Sequence, residues 1–124
     1  MVCLDSDVLI DFLNNKKEAV QKITKLKNDD VQLATTAVNS FELLNVSNKE
    51  KLQKIREFLL NFAIYEFNFE SSESAAQIFQ ELKAGGEIIE LTDIMIASIV
   101  TANNETLITN NKKHFEKINN LKLE

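Results

Sequence analysis

Proline is absent from the 124 residues, so no rigid linker divides the chain, and a single domain over 1–124 is expected. Cysteine occurs once, as Cys3, which excludes an internal disulfide. Inside an apolar run this thiol reads as a small buried hydrophobe and fits a reducing, cytoplasmic setting. No apolar run approaches the ~18 residues of a membrane span. No basic segment precedes the apolar start, as a signal peptide would require. Positive charge is also scarce: 14 Lys and Arg face 19 Asp and Glu, a formal net charge of −5. Basic runs never exceed two residues, at Lys16-Lys17 and Lys112-Lys113. This argues against a protein that coats nucleic acid by bulk electrostatics, but not against an enzyme that meets it locally through a metal ion. Internal repeats and low-complexity segments are missing too. What is present is an ordinary globular composition, 44% hydrophobic and 27% charged, in a chain long enough to hide roughly two-thirds of its unfolded surface.

The stretch MVCLDSDVLIDFL organises the rest. A brief apolar run, Val2 to Leu4, reads as a buried parallel strand of about 2–5. Asp5, Ser6 and Asp7 then suit a strand-to-helix turn and a cap for the helix of about 7–14. Asp5 would therefore stand at the carboxyl edge of a sheet, where open α/β folds bind ligands. Further on, the pattern predicts a helix over 17–27, a turn at 28–30 and a strand over 31–34. Helices over 37–46 and 49–61 follow, the second with Leu52, Ile55 and Leu59 in one stripe, and then a strand over 63–67. A helix over 70–83 turns Ala75, Ile78, Phe79 and Leu82 inward and stops at Gly85-Gly86. Ile88-Ile89 reads as a short extended piece, and 91–103 as a helix apolar nearly all round. A strand over 106–109, a helix over 111–118 and an edge strand over 121–123 complete the chain. Strands alternating with helices predict an α/β fold, a central parallel sheet of four to five strands with helices on both faces.

Four positions stand out chemically. Asp5 and Asn111 follow strands; Glu42 and Asp93 lie on helices packed beside them. Each has an ordinary explanation alone: Asp5 and Asn111 as caps, Glu42 as a solvent-facing acid, Asp93 as a first-turn acid on the helix dipole. Together they say more. Three carboxylates in one cleft repel each other and raise their own pKa values. A divalent cation resolves that repulsion, and hard oxygen ligands suit Mg²⁺ or Mn²⁺ rather than zinc. Such an ion acidifies water and stabilises phosphoryl charge, which is phosphodiester hydrolysis without a His, Cys or Lys nucleophile.

The phrases LDSDVLIDFL, TTAVNSFELL, LTDIMIAS and TLITNNKKHF, spread over essentially the whole chain, resemble a PIN domain, most closely the single-domain VapC-type toxins. The resemblance implies a Rossmann-like three-layer fold and a Mg²⁺- or Mn²⁺-dependent endoribonuclease. It matches Asp5, Glu42 and Asp93 to the three core acids, with Asp5 and Asp93 as metal ligands and Glu42 as a ligand or the holder of the attacking water. Ser6 matches a small hydroxyl beside the first acid, and Asn111 a fourth site. Asp7 stands where Asn is common and adds negative charge, while neutral Asn111 weakens any second ion, so one well-held ion is expected. The resemblance also implies an RNA substrate, a homodimer and a small VapB-like antitoxin whose tail fills the cleft.

Two other classes compete. Asp5-x-Asp7 after a first strand, with Thr109 after a later one, also opens haloacid-dehalogenase-like phosphatases, where the first acid is the nucleophile and the second the acid/base. Only 15 residues follow Thr109, none of them Asp, too few for that machinery. A PIN-like interaction module that cuts nothing is the other. His114 reads as an exposed helix residue beside Phe115 or, functionally, as a substrate contact. The lysine pairs at 16-17 and 112-113 read as solvated surface, and would meet phosphates only if they rim the same cleft.

Overall fold

The computed structural model describes residues 1–124. Five strands, β1 (Val2–Leu4), β2 (Leu33–Thr36), β3 (Ala63–Tyr65), β4 (Thr106–Ile108) and β5 (Lys122–Leu123), form one sheet in the order β3-β2-β1-β4-β5. Every pairing is parallel, with Cys3 opposite both Ala34 and Leu107. The helices are α1 (Ser6–Leu13), α2 (Lys17–Asn28), α3 (Ala37–Leu44), α4 (Lys49–Leu59), α5 (Phe69–Ala84), α6 (Leu91–Ala102) and α7 (Lys112–Phe115). The expected three-layer α/β architecture is the one found.

The pleat sorts the strands' side chains onto two faces. Cys3, Ala34 and Leu107 pack with Ile96, Ile99, Val100 and Phe115 on one side. Their neighbours Leu4, Leu33 and Ile108 pack with Leu9, Ile23, Ile55 and Leu59 on the other. Burial of both faces explains why the strands are apolar runs and not alternating ones. It also explains α6, which lies against the sheet with Ile96, Ala97, Ile99 and Val100 all at 0% exposure. Burial pushes the Cys3 thiol up to about 12, so it is an inert filler of the sheet.

Several boundaries differ from those expected. β2 begins at Leu33, not Val31. The Val31 N–H is spent on the Leu26 carbonyl, closing α2 after Asp30 adopts φ 57. Thr35 and Thr36 are strand residues paired with Ile64 and Tyr65, and Thr36 caps α3 as well. Ile88-Ile89 is not a strand: Ile88 is 89% exposed in the loop that joins α5 to α6. Helix α7 is one turn long, because the chain tightens at Ile118, whose N–H bonds the Phe115 carbonyl, and turns at Asn120 with φ 66. Phe79 does not face the core. It lies at the edge of the α5 stripe and lines a surface hollow with Ile88 and Ile89. Leu52 is likewise at the rim of its stripe.

The sheet places the ligand edge. From β1 the chain moves to β2 on one side, and later to β4 on the other. The carboxyl ends of β1 and β4 therefore flank the point where strand order reverses, the crevice that open α/β folds use for binding.

Ile99→Ala is expected to cost about 2–5 kcal/mol, and Phe79→Ser no more than about 0.5 kcal/mol, in urea unfolding. Equal costs would contradict this division of core from rim.

Candidate active site

Asp5 follows β1 and is the N-cap of α1. It is 7% exposed. Its Oδ1 accepts from the Ser6 N–H at 2.8 Å and from Asn39 Nδ2 at 2.9 Å. Its Oδ2 accepts from the Thr109 hydroxyl at 2.7 Å. Three adjacent strands thus supply the setting: Asp5 comes after β1, Thr109 after β4, and Asn39 from the first turns of α3 after β2. Charge-assisted bonds of this length fix a carboxylate's orientation.

Asn39 is fully buried. Its Oδ1 accepts from the Thr36 hydroxyl at 2.7 Å, and its N–H donates to the same oxygen at 3.1 Å. That reciprocal pairing settles the amide, whose Nδ2 donates to Asp5 and to Ser6 Oγ, the latter at 2.9 Å. Ser6 in turn gives its one proton to Glu42 Oε1 at 2.7 Å. Glu42 is therefore tied to Asp5 through Ser6 and Asn39, although its residue is exposed on α3. The sequence reading missed Asn39, and considered Thr109 only as a phosphatase mimic. The available signal was Thr36 three residues before Asn39, a cap paired with a polar N3 residue.

Asp93 lies in the first turn of α6 and is half-buried. Burial pushes its carboxyl up, and the negative charges of Asp5, Glu90 and Glu42 push the same way, while His114 pulls it down. His114 Nδ1 is 2.9 Å from Asp93 Oδ2. This corrects the reading of His114 as an exposed helix residue: it is partly buried and engages an acid. Nδ1 also stands 3.2 Å from Asn111 Nδ2. One ring nitrogen cannot donate to a carboxylate and accept from an amide, so with the proton on Nδ1 the Asn111 amide turns its oxygen to the ring. Asn111 is the N-cap of α7 by position, yet its side chain makes no capping bond. Its N–H instead donates to Thr109 Oγ1 at 3.0 Å.

Asp7 accepts from the Asn110 N–H at 3.1 Å, while its Oδ1 is buried with no partner. Burial, then the charge of Asp5, pushes it up to about 6. No Lys or Arg pairs with Asp5, Asp7, Glu42 or Asp93.

A ready-made group of three or more His, Cys, Asp or Glu side chains at metal-binding distance does not occur. The chemistry of the donors nevertheless fits a hard divalent cation. All are carboxylate oxygens, burial raises Asp93 first and the charges of Asp5, Glu90 and Glu42 add to it, and no basic side chain except His114 offsets them. Asp5, Glu42 and Asp93 are the residues that would hold it.

The PIN domain family model matches residues 2–121. Ribonuclease VapC2 of Rickettsia felis is 29% identical over 126 residues, covering 98% of this chain and 94% of that protein. Ribonuclease VapC3 of Methanocaldococcus jannaschii is 30% identical over 98 residues, covering 77% of this chain and 94% of that protein. Among solved structures, VapBC2 from Rickettsia felis bound to a DNA fragment from their promoter superposes with a TM-score of 0.86 at 27% identity, over 100% of this chain and 98% of that one. DNA-bound VapBC from Salmonella typhimurium has a TM-score of 0.87 at 21% identity over the same shares, a likeness of fold. The family match favours neither the phosphatase nor the non-catalytic reading.

Asp7 gives a pH test. Its folded pKa, about 6, lies above the ordinary 3.8, so the stability tied to its protonated form is present below 3.8 and is lost as pH rises through about 6. In chelator, Asp7→Asn should match wild type near pH ~4 and exceed it by about 1–2 kcal/mol above pH ~7, the full ~1.4 kcal/mol per unit being reduced by partial exposure. A gain independent of pH would refute the assignment.

Proposed function

The chain belongs to the PIN domain family, and on that footing we propose that it is a Mg²⁺- or Mn²⁺-dependent endoribonuclease, the toxin of a toxin–antitoxin pair. One observation carries this reading: a buried carboxylate, Asp5, locked at the strand-order reversal and joined by hydrogen bonds to Glu42 and by its field to Asp93. The ribonuclease names of the relatives support the reaction class.

Asp5 is the fixed member of the set, since three donors leave its carboxylate no rotational freedom. Ser6 engages only Oε1 of Glu42, leaving Oε2 to ligate the ion or to orient a water. Asp93 would supply the third carboxylate, from the first turn of α6. When bound, a divalent cation lowers the pKa of water and offsets charge on the phosphoryl oxygens. Hydrolysis by water needs no covalent intermediate, in keeping with a site whose Ser6 and Thr109 hydroxyls are spent on Glu42 and Asp5. Asn111 is neutral and exposed, which favours one ion over two.

The partner is a small VapB-like antitoxin. The Rickettsia felis relative, solved as a VapBC2 complex on promoter DNA, supports this. A homodimer is the assembly expected, and the apolar hollow lined by Phe41, Leu44 and Ile64 is the kind of face it would cover. No helix is long and apolar enough to cross a membrane.

With Mg²⁺ or Mn²⁺, Asp5→Asn and Asp93→Asn should each lower RNA cleavage by about 100-fold or more while circular dichroism stays native. Chelator should abolish wild-type cleavage. Undiminished cleavage by Asp5→Asn, or cleavage in chelator, would overturn the proposal.

A further inference from the structure

The two lysine pairs, roughly a hundred residues apart in sequence, meet. A groove of about 770 Å³ runs between α2 and the segment from β4 into α7, and Lys16, Lys17, Lys22, Lys112 and Lys113 line it. Three acids, Asp11, Glu18 and Glu124, also line it, in a chain whose net charge is −5. Only Lys16 is neutralised locally, by Asp11 at 3.5 Å. The other four pair with no carboxylate. Four cations without an ion-pair partner along one groove make it a surface of this acidic chain that attracts an anion.

The groove does not contain Asp5, Glu42 or Asp93; it starts at the residues that hold Asp5 and Asp7. Its lining includes Thr109, whose hydroxyl holds Asp5, and Asn110, whose N–H holds Asp7. We propose that this groove carries the backbone of the RNA substrate on one side of the scissile phosphate, with Lys17, Lys22, Lys112 and Lys113 as its phosphate contacts. The inference rests on the ribonuclease reading and gives it a direction. A polyanion cut at the carboxylates is repelled by them along its flanks, so its neighbouring phosphates leave toward the nearest cations. The groove's apolar lining is only Val8, Ala19 and Ile108, too little to anchor the side chains of a bound peptide. It holds no aromatic residue, so bases have nothing to stack on and the contact reads phosphate, not sequence.

The test uses the full chain in chelator and fluorescein-labelled single-stranded RNAs, one oligouridine and one of mixed sequence. Lys17→Gln/Lys22→Gln/Lys112→Gln/Lys113→Gln should bind both RNAs on the order of tenfold or more weakly, and the slope of log K against log salt should shrink by about 0.7 per lost contact. Lys25→Gln/Lys27→Gln/Lys49→Gln/Lys83→Gln, which removes the same charge from exposed sites elsewhere, should bind as wild type does. With Mg²⁺ the groove variant should raise KM and leave kcat near wild type. Wild-type cleavage combined with unchanged RNA affinity in the groove variant overturns the groove and leaves the ribonuclease standing. Unchanged RNA affinity with lost binding to poly-glutamate also overturns it and marks a protein contact instead. A wild type that neither binds nor cuts RNA with Mg²⁺ or Mn²⁺ overturns both.

Discussion

The structure turns on the hydrogen bonds that hold one carboxylate. Asp5 takes donors from its own turn, from Thr109 beyond β4 and from Asn39 beyond β2, so the carboxyl edges of three adjacent strands are stitched at a single charged group. Stitching of this kind does two jobs. It satisfies polar groups buried where the sheet meets its helices, and it fixes the direction in which both carboxyl oxygens point.

The remaining acids are arranged around that fixed point by weaker ties. Glu42 reaches it through one hydroxyl, and Asp93 through space. Their charges accumulate instead of cancelling: Asp7 and Asp93 are both pushed up by burial and by Asp5. The protein answers with one soft partner, His114 on Asp93, and leaves Asp7 Oδ1 with none. The site collects negative charge without spending a Lys or Arg on it, which is the ground for the proposed cation, and the lysines stand beside it, in the groove at Lys17, Lys22, Lys112 and Lys113.

Much of the fold was legible because apolar runs, Asn turns and the Gly85-Gly86 stop are local signals. The misplacements share a cause: a tertiary or turn interaction that periodicity does not encode. Val31 left the strand because its N–H closes a helix, and Phe79 lies one position off the buried stripe. At the site, the residue types that carry charge, Asp5, Glu42 and Asp93, could be picked out by chemistry and by resemblance. Asn39 was not, since its spacing from Thr36 marks only a helix cap, and its bonds to Asp5 and Ser6 form only once α3 packs on α1. His114 was misread for the same reason: only the approach of α7 to the start of α6 brings its ring to Asp93. The lysine pairs were read as separate solvated ends, and only the packing of α2 beside the β4–α7 segment makes them one surface.

The central claim is that Asp5 is the anchor of a divalent-cation site. Calorimetric titration with Mn²⁺ tests it without any RNA. Wild type should bind the ion, and a natively folded Asp5→Asn chain should not. Equal binding by the two, or none by wild type, would contradict the account.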